Sequence, residues 1–188
     1  ANSPFGIIAS PKVGPTGRVI LIEANPFYTP VIEFVINTLK LENTTLIKAA
    51  VWKEKIKLQF SISGGASKII GCNPGGGKEL NVVEARADTL DNILSELNIN
   101  KVDLLACDVE GAEVKLVVGA IKYFTEKRIL NVTLAAYHMP ATIPKNIIKF
   151  LEFTDFKNPS YEQGVVYGSL HHGSEVSIRD YKGEPQFA

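Results

Sequence analysis

Apolar and polar positions along this chain switch repeatedly between two periods. "VILIE" at 19–23 is a short, mostly β-branched apolar run between Gly17-Arg18 and Asn25-Pro26, the pattern of a buried strand. In "TPVIEFVINTLKL" Thr29 stands as N-cap, Pro30 takes the first helical position, and Val31, Phe34, Val35 and Leu39 follow at helical spacing. "TTLIKAAVW" at 44–52 reads as a second strand, and the alternation in "KIKLQFSIS" at 55–63 as a half-exposed one. The stretch 64–79 carries six of the fifteen glycines, a loop composition. "LNVVEAR" then predicts a strand, and "DTLDNILSELN" a helix with Asp88 as N-cap and Asp91 in a capping box. "KVDLLAC" is a strand, "AEVKLVVGAIKYFTEK" a helix, "ILNVTLAAYH" a strand and "PKNIIKFLEF" a short helix. "GVVYGSL" with "EVSI" predicts a closing hairpin.

Strands and helices in this alternation predict an α/β fold with a mainly parallel sheet covered on both faces. At 188 residues, with no internal repeat or linker, the chain fits a single domain. Ligands of such sheets bind beyond the carboxyl ends of the strands. Glu23, Asp108 and His138 each end a strand, so all three are expected at one crevice.

Composition excludes more than it assigns. Twenty basic and twenty acidic side chains cancel, which removes the global field that nucleic acid or an anionic membrane would need. The nine Phe and six Tyr are not interleaved with a basic stripe. Cys72 and Cys107 form no CxxC pair, and Cys107 in an apolar strand reads as an inert buried thiol. No run of about 18 apolar residues and no leader-like N-terminus is present, so the expectation is a soluble cytoplasmic domain. The sequons Asn43-Thr44-Thr45 and Asn131-Val132-Thr133 are of a kind that arises commonly by chance.

The candidate chemistry is acidic. Glu23 after a wholly apolar strand suits two ribose hydroxyls, and also suits capping of the turn that follows. Asp108, Glu110 and Glu113 stand close together after another apolar strand. Glu113, and Glu110 in part, fit a first helical turn, where the dipole favours negative charge. Asp108 lies in the turn itself, where a carboxylate holds an ammonium or sulfonium or takes a proton. No His accompanies the cluster, which argues against a metal, and the adjacent His171 and His172 point different ways. His138 has the position of a general base and equally that of a hydrogen-bonded structural residue. "PGGGK" at 74–78 lacks the spacing and the trailing Ser/Thr of a phosphate loop.

Taken together, "GRVILIEANP", "KAAV", "ADTLDNIL" and "VDLLACDVEGAEVKLVVGA" occur in the order and spacing of the FkbM-like methyltransferases, which use S-adenosylmethionine and mostly methylate hydroxyls. The resemblance covers residues 14 to about 156, and "DVEGAE" downstream of "TLD" is its most specific part. It implies a Rossmann-like sheet of seven strands with an antiparallel last strand. It implies Glu23 as ribose ligand with Asn25 beside it, Ala49 and Ala50 bordering the adenine, and Asp108 with Glu110 near the methionine moiety and the transferred methyl. The acceptor it implies is a hydroxyl on a small molecule or glycan.

The sequence departs from the family at several points. The family's first strand and glycine turn, D-x-G-A-N-x-G, should precede "FGII", where this sequence begins "ANSPFG" with Ser3-Pro4 in place of a glycine. A sheet lacking that strand is expected to be poorly stable alone or to borrow one, a second copy of the chain included. Ala106 and Ala136 stand where many members have Lys and Glu. These departures motivate a catalytically silent binding module as the alternative. A nicotinamide-dependent oxidoreductase is a further one, opposed by the lack of any G-x-G-x-x-G.

Overall fold

Val19–Glu23 form β1, which pairs in parallel with β2 (Thr44–Lys48), Val19 opposite Thr44 and Glu23 opposite Lys48. The computed structural model describes residues 4–61, 68–70, 82–137, 140 and 142–170. His138, Cys72, His171-His172, "EVSI" and most of the glycine-rich stretch lie outside the described residues. Before β1 runs α1 (Pro4–Val13), with Pro11 inside it. Between β1 and β2 runs α2 (Thr29–Thr38). Its N-cap is Tyr28 rather than Thr29, whose buried hydroxyl donates to the Pro26 carbonyl. The helical spacing correctly gives a helix, but Val31 and Phe34 are 58% and 68% exposed, so that face does not reach the core.

The strand expected over 44–52 breaks at Ala49 into β2 and β3 (Ala50–Val51). β3 pairs in parallel with β6 (Val82–Asp88), while β6 pairs antiparallel with β4 (Ile56–Ser61), and β4 with β5 (Lys68–Ile69). A third sheet joins β7 (Leu105–Cys107) in parallel to β8 (Asn131–Ala135), then β8 and β9 (Lys157–Glu162) antiparallel to β10 (Val165–Ser169), in the order β7-β8-β10-β9. The described sheets are therefore mixed, with parallel and antiparallel ladders side by side. The closing hairpin is real, but the partner of "VVYGS" is "KNPSYE".

Two helix boundaries also differ from expectation. Thr89, not Asp88, caps α3 (Leu90–Glu96), its Oγ1 accepting from Asn92 N–H at 3.1 Å. Asp88 is fully buried and supports that cap, accepting from Thr89 N–H and Asn92 Nδ2, each at 2.9 Å. The long helix expected over 112–127 is split at Ala120 into α4 (Glu113–Gly119) and α5 (Ile121–Thr125). Asp91 gives the physical reason, because its carboxylate accepts from Lys122 N–H at 3.0 Å and Tyr123 N–H at 3.1 Å and so caps a new helix start.

The main core gathers Ile93, Leu116, Phe124, Val132, Leu134 and Val166, closed by Ile147 and Leu151 of α6 (Thr142–Phe153). Phe124 meets Phe150 edge-on at 5.4 Å. A smaller cluster of Ala50, Trp52, Phe60, Ala87 and Ala112 takes in Ala24 and Val109 at its margin. The two meet where α4 crosses β3. There a Cβ added at Gly119 would lie 2.0 Å from the Trp52 carbonyl oxygen. Gly119→Ala is accordingly expected to lower stability by about 1–3 kcal/mol, read as a drop of roughly 2–4 °C in Tm per kcal/mol. A wild-type melting curve would mean that α4 does not lie against this backbone.

Candidate active site

Parallel ladders end together, and here they carry the polar residues at those ends. Glu23 closes β1 opposite Lys48, so Ala49 and Ala50 follow immediately beside it. In the neighbouring sheet Cys107 closes β7 opposite Leu134, which brings Asp108 and Tyr137 out at one edge. The small cluster ties the two edges, because Ala24, Ala50, Val109 and Ala112 all belong to it. Glu23 and Asn25 thus flank Ala24, Asp108 and Glu110 flank Val109, and Ala24, Val109 and Ala50 share that cluster. His138, expected with them, lies outside the described residues.

Glu23 and Asn25 are 6% and 4% exposed. The Asn25 N–H donates to Glu23 Oε1 at 2.7 Å, and Asn25 Oδ1 accepts from Phe27 N–H at 2.9 Å. The turn-capping reading of Glu23 therefore holds. It is compatible with a ligand role, since a carboxylate has about four acceptor positions and a fixed one is better oriented. The adjacent Ala24 packs on the cluster that holds Ala50 and Ala112, and Ala49 is buried.

Asp108 is exposed, and the Tyr137 hydroxyl donates to its Oδ2 at 2.8 Å. That hydrogen bond, then burial and the charges of Asp108, Glu110 and Glu113, push the Tyr137 phenol up to about 12. Burial first, then Glu113 and Asp108, raise the thiol of the half-buried Cys107 well above its ordinary value. Tyr137 was not foreseen. Only the β7–β8 register, which the structure supplies, puts it at the same edge as Asp108. The ring also fits closely over the β9–β10 turn, where Gly164 has φ +84° and an added Cβ would lie 2.7 Å from Tyr137 Cβ. The Gly164 carbonyl accepts from Ala136 N–H at 2.7 Å.

Glu113 departs most from expectation. It opens α4, as a dipole-complementing residue would, but it is fully buried and bends back over the preceding turn. Its Oε1 accepts from Val109 N–H and Gly111 N–H, each at 3.3 Å. Among the described residues no group of three or more His, Cys, Asp or Glu is arranged to hold a metal ion, and no helix is long and apolar enough to cross a membrane.

A phenol whose folded pKa lies above its unfolded value of 10 stabilises the fold fully below pH 10, and that contribution is lost as pH rises through about 12. The difference titration between wild type and Tyr137→Phe is expected to have its midpoint near pH 12, moving down in Asp108→Asn. A Tyr137 midpoint that ignores Asp108 would contradict the hydrogen bond.

Residues 1–158 match the methyltransferase FkbM domain. The chain belongs to the FkbM methyltransferase family. Its fold is similar to that of a crystal structure of methyltransferase FkbM from Methylobacillus flagellatus, with a TM-score of 0.56 at 15% identity. That match covers 80% of this chain and 36% of the other, so this chain spans about a third of the length of the FkbM protein it resembles. No curated protein sequence matches it. The acidic turn and the Glu23 edge of this FkbM chain both fall inside the matched residues.

Proposed function

We propose that this chain binds S-adenosylmethionine along the edge running from Glu23 to Asp108 and transfers its methyl group to a hydroxyl of a small molecule or glycan. The observation that carries this reading is a buried, pre-oriented carboxylate at the end of β1, joined by one alanine-rich cluster to two further carboxylates at the end of β7. The residues suit the cofactor. Glu23 and Asn25 would hold the ribose, Ala49 and Ala50 would border the adenine, and Asp108 with Glu110 would stand near the sulfonium. The cofactor supplies an already activated methyl group. The protein's part is then alignment of the acceptor oxygen and removal of its proton, for which Asp108 and His138 are the candidates.

The parallel β1–β2 and β7–β8 ladders and the antiparallel β9–β10 hairpin support a Rossmann-like sheet. In that reading a further strand lies between β1 and β7, each of which pairs on one side among the described residues. Balanced charge and an inventory of two cysteines support a cytoplasmic setting.

Calorimetric titration with S-adenosylmethionine, S-adenosylhomocysteine and NADH tests the reading. Saturable binding of the two adenosyl compounds, with NADH inert, is the expected result. Binding of NADH alone would replace it with the oxidoreductase alternative, and adenosyl binding with no acceptor ever methylated would favour the silent module.

A further inference from the structure

The turn between β7 and α4 keeps two successive residues in the left-handed region, Glu110 at φ 52° and Gly111 at φ 97°. Glycine adopts this conformation freely, but a residue with a Cβ does so at a cost of roughly 1–2 kcal/mol, so the surroundings must hold it there. The two N–H groups on either side of Glu110, those of Val109 and Gly111, both donate to the same atom, Glu113 Oε1. Successive N–H groups in such a conformation form a concavity suited to an anion. Here the anion is the chain's own, and it is fully buried. A carboxylate that served only the helix dipole would do so from the surface without the desolvation that burial imposes.

We propose that Glu113 is a positioning residue of the methyl-transfer site: by clasping the N–H groups on both sides of Glu110 it fixes the turn that presents Asp108 and Glu110 along the cofactor edge. The assignment rests on the function proposed above. Glu113 itself touches neither cofactor nor acceptor. It acts through the backbone, so what matters is an acceptor oxygen at that place rather than a titrating group.

The test uses the whole 188-residue chain as wild type, Glu113→Ala, Glu113→Gln and Gly111→Ala. Two quantities are read: amide hydrogen exchange by NMR without any ligand, and S-adenosylhomocysteine affinity by calorimetry. In Glu113→Ala the Gly111 amide should exchange at least about tenfold faster, as expected for loss of a hydrogen bond to a charged group. The helix amides of Leu116 and Phe124, bonded to Ala112 and Ala120, should be unchanged. Affinity should fall by about tenfold or more, on the same hydrogen-bond scale. Glu113→Gln keeps the acceptor oxygen and should restore both quantities, whereas a purely charge-based role would not be restored.

Unaltered Gly111 exchange in Glu113→Ala, or faster exchange with wild-type affinity, would overturn the proposal. If Glu113→Ala does not fold, Gly111→Ala decides, since a Cβ there meets nothing within 4 Å and perturbs the turn by its φ alone. Wild-type affinity in Gly111→Ala would then overturn it. If the wild-type chain binds no S-adenosylhomocysteine, the function proposed above falls, and the exchange measurements still decide whether Glu113 sets the turn.

Discussion

Asp108→Asn should reduce methyl transfer by about 10²–10⁴-fold, the range associated with loss of a positioned acid or base. The fold should survive, with Tm within about 2 °C of wild type, because the residue is exposed and asparagine keeps its size and an acceptor for the Tyr137 hydroxyl. What disappears is the negative charge at the end of β7. The measurement is the transfer rate with a confirmed acceptor, taken with melting curves for Asp108→Asn and Glu113→Gln side by side. Glu113→Gln should turn over nearly as wild type, since its amide oxygen can still accept from Val109 and Gly111. Full activity in Asp108→Asn with loss in Glu113→Gln would reverse the roles given to the two carboxylates.

Glu23→Ala should weaken S-adenosylhomocysteine binding by roughly 1.5–3 kcal/mol, the scale of hydrogen bonds to a charged group. The structure adds a complication that a second variant resolves. Glu23 also accepts the Asn25 N–H, so alanine removes a turn support along with the ligand contact. Glu23→Gln retains an oxygen for Asn25 and should lose less, because it still offers one acceptor to the ribose. Unchanged affinity in a folded Glu23→Ala protein would sink the ribose assignment. Equal, large losses in both variants would locate the effect in the charge instead of the turn.

Elements with strong local signals were legible in the sequence. The apolar run before Glu23 is β1, the Thr-Pro start gives the beginning of α2 to within a residue, and "PKNIIKFLEF" lies within α6. The strand-end positions of Glu23 and Asp108 were legible too, since each follows an apolar run that forms a parallel strand. Features decided by distant partners were not. Ala120 looks like mid-helix until Asp91, from another helix, caps the residues after it. "KNPSYE" has neither alternation nor β-branched residues and becomes a strand only by pairing with β10. Glu113 has the sequence position of a solvated first-turn acid, and only its packing makes it a buried clasp. Tyr137 follows the same rule, since its role needs the β7–β8 register and the shape of a turn much later in the chain.

That turn has an evolutionary consequence. Surface hairpin turns are normally where a sequence drifts most freely. Position 164 is denied that freedom, since any side chain there would be strained at a φ of +84° and would displace Tyr137 as well. Displacing Tyr137 disturbs the hydroxyl that meets Asp108. Drift in this outlying hairpin is therefore felt at the acidic edge, and in descendants of this chain changes at 163 and 164 should accumulate together with changes at 137, while the rest of the hairpin varies independently.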